Sequence, residues 1–162
     1  MRAFAFFAAM AALASSTVVS SALAQEWPYY GGDAGGTRFS ALTQINRENV
    51  GDLKVAWTYS TGDATTFAKL KPFFGLHVTP ILLPKEAGQH LVMCSAFNRI
   101  IGLDPTTGKE RWSFDPQMQG MRPGSRANCR GVSLWHDTAA PDQNAACVWR
   151  IFMGTNDRRL VA

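Results

Sequence analysis

The sequence is poor in charge, with 17% Asp, Glu, Lys and Arg against 46% hydrophobic residues. That balance excludes a self-repelling disordered chain, because there is enough apolar surface to offset the cost of ordering the backbone. Cysteine and histidine are scarce too, three of each, and no Cys-x-x-Cys or Cys/His spacing offers a zinc site. Helix patterns are nearly missing; residues 44–50 are the one candidate for a short helical turn. The net charge of +4 comes without any aromatic-interleaved basic stretch or nucleic-acid motif, so nucleic acid is not an expected partner. Arg122, Arg126 and Arg130 do cluster, and for the first two a solvated loop is the expectation.

What the chain has at its start is a leader. Arg2 is followed by an apolar Ala/Phe/Leu stretch and by the small-x-small run Ala22-Leu23-Ala24, the pattern of a signal peptide over residues 1–24. Residues 15–21 are too weakly apolar, and too bare of a basic flank, for a membrane anchor. Export to the periplasm is therefore expected, where thiols pair. Cys94 lies in the apolar run Leu91-Val92-Met93-Cys94, where a buried free thiol behaves as a small hydrophobe, which leaves Cys129 with Cys147 as the preferred disulfide.

The mature part, 25–162, reads as all-β. Strict alternation from Leu53 puts Leu53, Val55, Trp57 and Tyr59 on one face of a strand. Further short strands are expected at 91–96, 99–103, 111–114, 131–135 and 148–153, each bounded by Gly, Pro, Asn or Asp. The segment Val92–Leu103 is echoed by Ile151–Ala162 as strand, tight turn, strand, at an offset of 59 (92 to 151). Trp57-Thr58-Tyr59 and Trp112-Ser113-Phe114 form a second echo, 55 apart (57 to 112). Repeats of this size in an all-β pattern indicate β-propeller blades, because a lone blade has two apolar faces that only neighbours can bury. About two blades fit, so the chain is expected to be the opening of a longer propeller, truncated at its C-terminus.

The segment Gly102-Leu103-Asp104-Pro105-Thr106-Thr107-Gly108-Lys109-Glu110-Arg111-Trp112 resembles the tryptophan-docking repeat of pyrroloquinoline-quinone propellers. Asp104 and Thr107 can bond their own backbone in the turn, Gly108 supplies a positive φ, and Trp112 offers a flat surface with one N–H donor for docking blade to blade. Around it, Trp27-Pro28-Tyr29-Tyr30-Gly31-Gly32, Arg38-Phe39-Ser40, Val78-Thr79-Pro80 and Cys129-Arg130-Gly131-Val132 resemble the N-terminal part of the glucose, quinate and alcohol quinoprotein dehydrogenases. The resemblance implies an eight-bladed propeller, pyrroloquinoline quinone and calcium as cofactors, an alcohol or sugar substrate, and a quinone pool or cytochrome c as electron acceptor, with peripheral membrane association as a further possibility.

Pyrroloquinoline quinone carries three carboxylates, which a guanidinium grips bidentately. Arg130, matching the family's cofactor-contacting arginine, is the leading cofactor-binding candidate; its alternative is a structural salt bridge. His77 stands where the family commonly has a glutamate before Val-Thr-Pro; it either donates to a quinone or carboxylate oxygen or is an ordinary loop histidine. His90 and His136 read as surface residues, and Trp135 and Trp149 as core. The resemblance places the calcium ligands and the catalytic base beyond Ala162, so no catalytic residue or metal ligand is assigned within this chain. The rival reading is a non-catalytic propeller scaffold of the cell envelope.

Overall fold

The computed structural model describes residues 26–66, 68–69, 75–119 and 126–162; the expected leader at 1–24 and Arg122 lie outside them. Two antiparallel meanders make up the structure. The first is a four-stranded sheet of β1 (Ile81–Leu82), β2 (Leu91–Cys94), β3 (Ile100–Leu103) and β4 (Glu110–Phe114), paired in chain order. The second pairs β5 (Ser133–His136), β6 (Trp149–Gly154) and β7 (Leu160–Val161) in the same way. Among the described residues the named helical elements are one turn, α1 (Asp63–Thr66), and 3-10 turns at Val50–Asp52 and Lys85–Ala87.

The first sheet is apolar on both faces. Val92, Cys94 and Ile100 point to one side, where Leu134, Ile151, Met153 and Val161 of the second sheet cover them. Met93, Ile101 and Leu103 point to the other, under Trp57 and Tyr59. Alternation along β2 and β3 divides the residues this way, since successive side chains leave opposite faces. The sheet is thus the middle layer of a stack.

Residues 53–59 form no strand and pair with none among the described residues, which corrects the expectation of a strand there. Leu53 and Val55, expected on the buried face, are 60% and 81% exposed. The alternation marks Trp57 and Tyr59, which lie on the sheet, and no more. Trp57 donates from Nε1 to the Pro105 carbonyl at 3.1 Å, and Tyr59 donates to the Glu110 carboxylate. The helical turn expected at 44–50 forms instead at Val50–Asp52. Asn46 and Asn49 compete for the earlier backbone: Asn49 Oδ1 accepts the Asn46 N–H at 2.8 Å, and Asn46 Oδ1 accepts the Glu48 N–H at 3.0 Å.

Two glycines are required by close approach. Gly102 faces Trp112 across the β3–β4 ladder, and a Cβ there would overlap the indole. Gly108, at φ 69°, turns the β3–β4 connection directly beneath Trp57. In that turn Asp104 Oδ1 accepts from Thr106 N–H, Thr107 N–H and Thr107 Oγ1, while Oδ2 takes Arg111.

The β2–β3 and β6–β7 turns are built alike. Ser95 N–H donates to the Arg99 carbonyl and Thr155 N–H to the Arg159 carbonyl, both at 2.8 Å. Asn98 and Arg158 take the left-handed position of each, at φ 66° and 71°. The repeat offset is therefore 60 (95 to 155), one more than the sequence echo suggests. Matching Asn98-Arg99 to Asp157-Arg158 by residue type hides this, and a slip of one would turn every strand side chain to the wrong face. The two turns also touch. Asn156 N–H donates to Asn98 Oδ1 at 2.7 Å, and Asn156 Nδ2 donates to the Ala96 carbonyl at 3.2 Å.

Asn98 is fully buried, so its carboxamide is a fixed clip between the sheets. Asn98→Ala strands the Asn156 N–H and places a Cβ-bearing, non-bonding residue at positive φ, which should cost about 2–3 kcal/mol of unfolding free energy. Asn98→Gly keeps the turn and should lose clearly less. Denaturant unfolding of the full-length protein checks this; equal stability of wild type and Asn98→Ala contradicts it.

Candidate functional site

One end of the stack gathers the loops that matter. β1 enters there after Pro80, the Ser95–Arg99 and Thr155–Arg159 turns lie there, β4 leaves there at Asp115, and β5 enters there after Val132. Antiparallel pairing within each meander dictates this, and the Asn98–Asn156 contact brings the two sheets' ends together.

The segment bearing His77 runs beside the segment bearing Arg130. Gly75 N–H donates to the Ala127 carbonyl at 3.4 Å, and Thr79 N–H donates to the Arg130 carbonyl at 3.2 Å. The imidazole of His77 folds back over Gly75, whose missing side chain makes room for it. Gly131 then passes close to the Thr79 carbonyl and the Tyr30 ring, and the Arg38 guanidinium sits over that ring at 5.5 Å. So Trp27–Arg38, the His77 segment and the Cys129–Val132 segment, all singled out in the sequence, meet at one place. Both His77 and Arg130 are exposed. Among the described residues the Arg130 guanidinium has no carboxylate partner.

The disulfide is a correction. Cys94 pairs with Cys129, 35 positions apart, and Cys147 is free and exposed. Cys94 is indeed buried in an apolar run, but burial did not leave it unpaired: β2 ends where the first sheet meets the loop entering β5, so the nearest sulfur is that of Cys129. Closing a loop of that length is worth about 3–4 kcal/mol in the chain-entropy account. An odd cysteine count cannot decide such a pairing, because several partners fit it equally well.

Other side chains also sit differently from expectation. His90 is half-buried, accepting the Trp112 Nε1–H at Nδ1 (3.1 Å), and His136 stacks on Trp149 with centroids 3.8 Å apart. Both were expected at the surface; each shields an indole edge or face. Trp135, expected in the core, is 42% exposed with Arg150 over its ring. Arg126 is exposed, as a loop arginine would be.

A cleft of about 330 Å³ opens at this same end, lined by Thr61, Asp63, Ser95, Arg99, Asp115 and Gln117 among others. Asp63 is buried there and accepts the Ala96 N–H at 3.0 Å; Arg99 donates to the Thr61 carbonyl at 2.7 Å. No sequence signal marked this pair, since α1 is a single turn in a stretch without periodicity. Among the described residues no group of three His, Cys, Asp or Glu is placed to hold a metal ion.

The acidic groups are tuned by local bonds. Arg111, with Thr107, holds Asp104 well below the ordinary carboxylate range, and Arg159, with Thr155 and the Gln119 N–H, does the same for Asp157. Burial, then the bond to Glu110, pushes the Tyr59 phenol up to about 12.

Stacked antiparallel meanders, with an aromatic segment on the free face of the first, are blades of a β-propeller. Residues 27–162 match the family described as PQQ: glucose/ethanol/alcohol dehydrogenase, β-propeller domain, and the chain belongs to that family. It is 38% identical over 147 residues to quinoprotein glucose dehydrogenase of Escherichia coli (strain K12), covering 89% of this chain and 18% of that protein. It is 34% identical over 150 residues to quinate/shikimate dehydrogenase (quinone) of Acinetobacter baylyi, covering 84% of this chain and 17% of that one. Among solved structures it is similar to quinohemoprotein alcohol dehydrogenase from Comamonas testosteroni, with a TM-score of 0.56 and 26% identity over 81% of this chain and 16% of that chain. The chain thus spans less than a fifth of the length of these relatives.

Two outcomes follow. In native, unreduced protein Cys147 should react with a solvent-borne thiol reagent while Cys94 and Cys129 should not, as peptide mapping of the label would show; labelling of Cys94 or Cys129 in the folded wild type would contradict their bond. For Tyr59 the folded pKa, about 12, lies above the unfolded value near 10, so its contribution is intact below pH 10 and is lost as pH rises through 12. Thermal unfolding between pH 9 and 12 should fall more steeply for wild type than for Tyr59→Phe, and coincident profiles would refute the assignment.

Proposed function

We propose that this chain supplies the opening blades of a periplasmic quinoprotein dehydrogenase, exported by the leader at 1–24, in which Arg130 and His77 hold pyrroloquinoline quinone. The observation that carries the reading is an exposed guanidinium, free of carboxylate partners among the described residues, on a backbone pinned from both sides at the loop end of the stack. Its donor set fits the group: a planar cation for a carboxylate, and on the neighbouring segment an imidazole that can donate to another oxygen. The resemblance leaves calcium to ligands beyond Ala162, and no residue of this chain is assigned to that ion.

When bound, the quinone with calcium as Lewis acid supplies hydride acceptance from the carbinol carbon of an alcohol, sugar or polyol. The chain's own part is to bind and orient. Arg130 neutralises a carboxylate and fixes its plane, while His77 can donate from its ring to a neighbouring oxygen. The docking turn of Asp104, Thr107 and Gly108, with Trp112 behind it, keeps the sheet that carries Cys94 rigid and is its blade-docking element. Electrons would pass to a quinone pool or cytochrome c. The substrates in the relatives' names, glucose, quinate or shikimate and alcohol, define the panel to try.

The test is reconstitution of the full-length protein with pyrroloquinoline quinone and calcium, followed by dye-linked oxidation of glucose, quinate and simple alcohols. Arg130→Ala should raise the cofactor dissociation constant roughly 10- to 100-fold, the worth of one charge-assisted bond pair, while leaving unfolding nearly unchanged. A full-length protein that takes up no cofactor and turns over no substrate would favour the non-catalytic scaffold instead.

A further inference from the structure

We propose that the Cys94–Cys129 disulfide is a positioning clamp for cofactor capture, setting where Arg130 stands; this rests on the reading of Arg130 as the cofactor's anion grip. Arg130 is exposed, so side-chain packing does not hold it and its position comes from the backbone. That backbone ends a long connection, residues 115–132, between β4 and β5. Its first part is latched to the second sheet's turn: Arg159 donates to the Pro116 and Gln117 carbonyls at 3.0 and 3.2 Å, and Asp157 accepts the Gln119 N–H at 2.8 Å. Its last part has two backbone hydrogen bonds to the His77 segment and one covalent bond.

The covalent bond falls at the residue directly before Arg130. Its other end, Cys94 in β2, is fully buried and pairs with Ile100 of β3. Cys129 is 5% exposed. A rigid core strand is thereby tied to a cationic loop residue, so the loop's freedom is removed when the chain folds and not when the cofactor arrives. A preorganised grip binds more tightly than one that must be ordered by its ligand. Arg130 contacts the cofactor under this reading; Cys94 and Cys129 act through it.

The test is made on the full-length apoprotein. Cys94→Ala/Cys129→Ala is titrated with pyrroloquinoline quinone by absorbance, and thermal unfolding without cofactor is measured beside it. Leu103→Ala, in the core on the far face of the first sheet, serves as a destabilised control. The clamp predicts a dissociation constant raised roughly tenfold or more in the double variant, and an unchanged one in Leu103→Ala despite its lowered Tm. Should the alanine pair not fold, Cys94→Val/Cys129→Ala fills the buried volume and carries the same prediction. Equal affinity in wild type and the folded cysteine variant, or equal weakening in Leu103→Ala, overturns the clamp. A wild type that binds no cofactor overturns the Arg130 reading itself, and the clamp with it.

Discussion

The structure depends on the fact that an antiparallel meander with two apolar faces cannot bury itself. Val92, Cys94 and Ile100 leave one side of the first sheet, and Met93, Ile101 and Leu103 leave the other. Each set must be covered, and the covering elements, the second sheet and the Trp57–Tyr59 segment, come from either side in the chain. Stacking follows from that demand. The face-to-face stack then aligns the ends of the sheets, and the segments bearing His77 and Arg130 are brought together at one end.

Specific contacts convert this non-directional demand into a fixed register. The Asn98 clip joins equivalent turns, Trp112 lies across Gly102, and Trp57 lies across Gly108. Each needs one residue type: an amide that tolerates positive φ, or a glycine whose missing Cβ admits an indole. The disulfide adds a covalent tie between the first sheet and the loop that enters the second. That tie falls at the residue before Arg130, the proposed cofactor grip.

Much of this was legible in the sequence, for identifiable reasons. The five expected strands from 91 to 153 all formed, because short apolar runs bounded by turn residues leave few alternatives. The docking turn was legible because Asp104, Thr107 and Gly108 act within a few residues of one another. What failed was non-local. Cys94 looked like a core hydrophobe because its neighbours are apolar, and its partner is a loop residue brought close by the stacking. The 59-residue echo was one short because Asn-Arg and Asp-Arg look alike, whereas the backbone puts Asn98 with Arg158. Alternation at 53–59 reported contact with a sheet face, not membership of a ladder. The Asp63–Arg99 cleft had no sequence signal, since both residues act through backbone partners distant in the chain.

As proposed, the stack holds a cationic loop residue ready for an anionic redox cofactor. An experimental structure of the full-length protein with pyrroloquinoline quinone bound tests it most directly. The Arg130 guanidinium is expected within hydrogen-bond distance of a cofactor carboxylate, with Cys94 and Cys129 still joined. A bound cofactor whose carboxylates are met by other groups, with Arg130 turned to solvent, would contradict it.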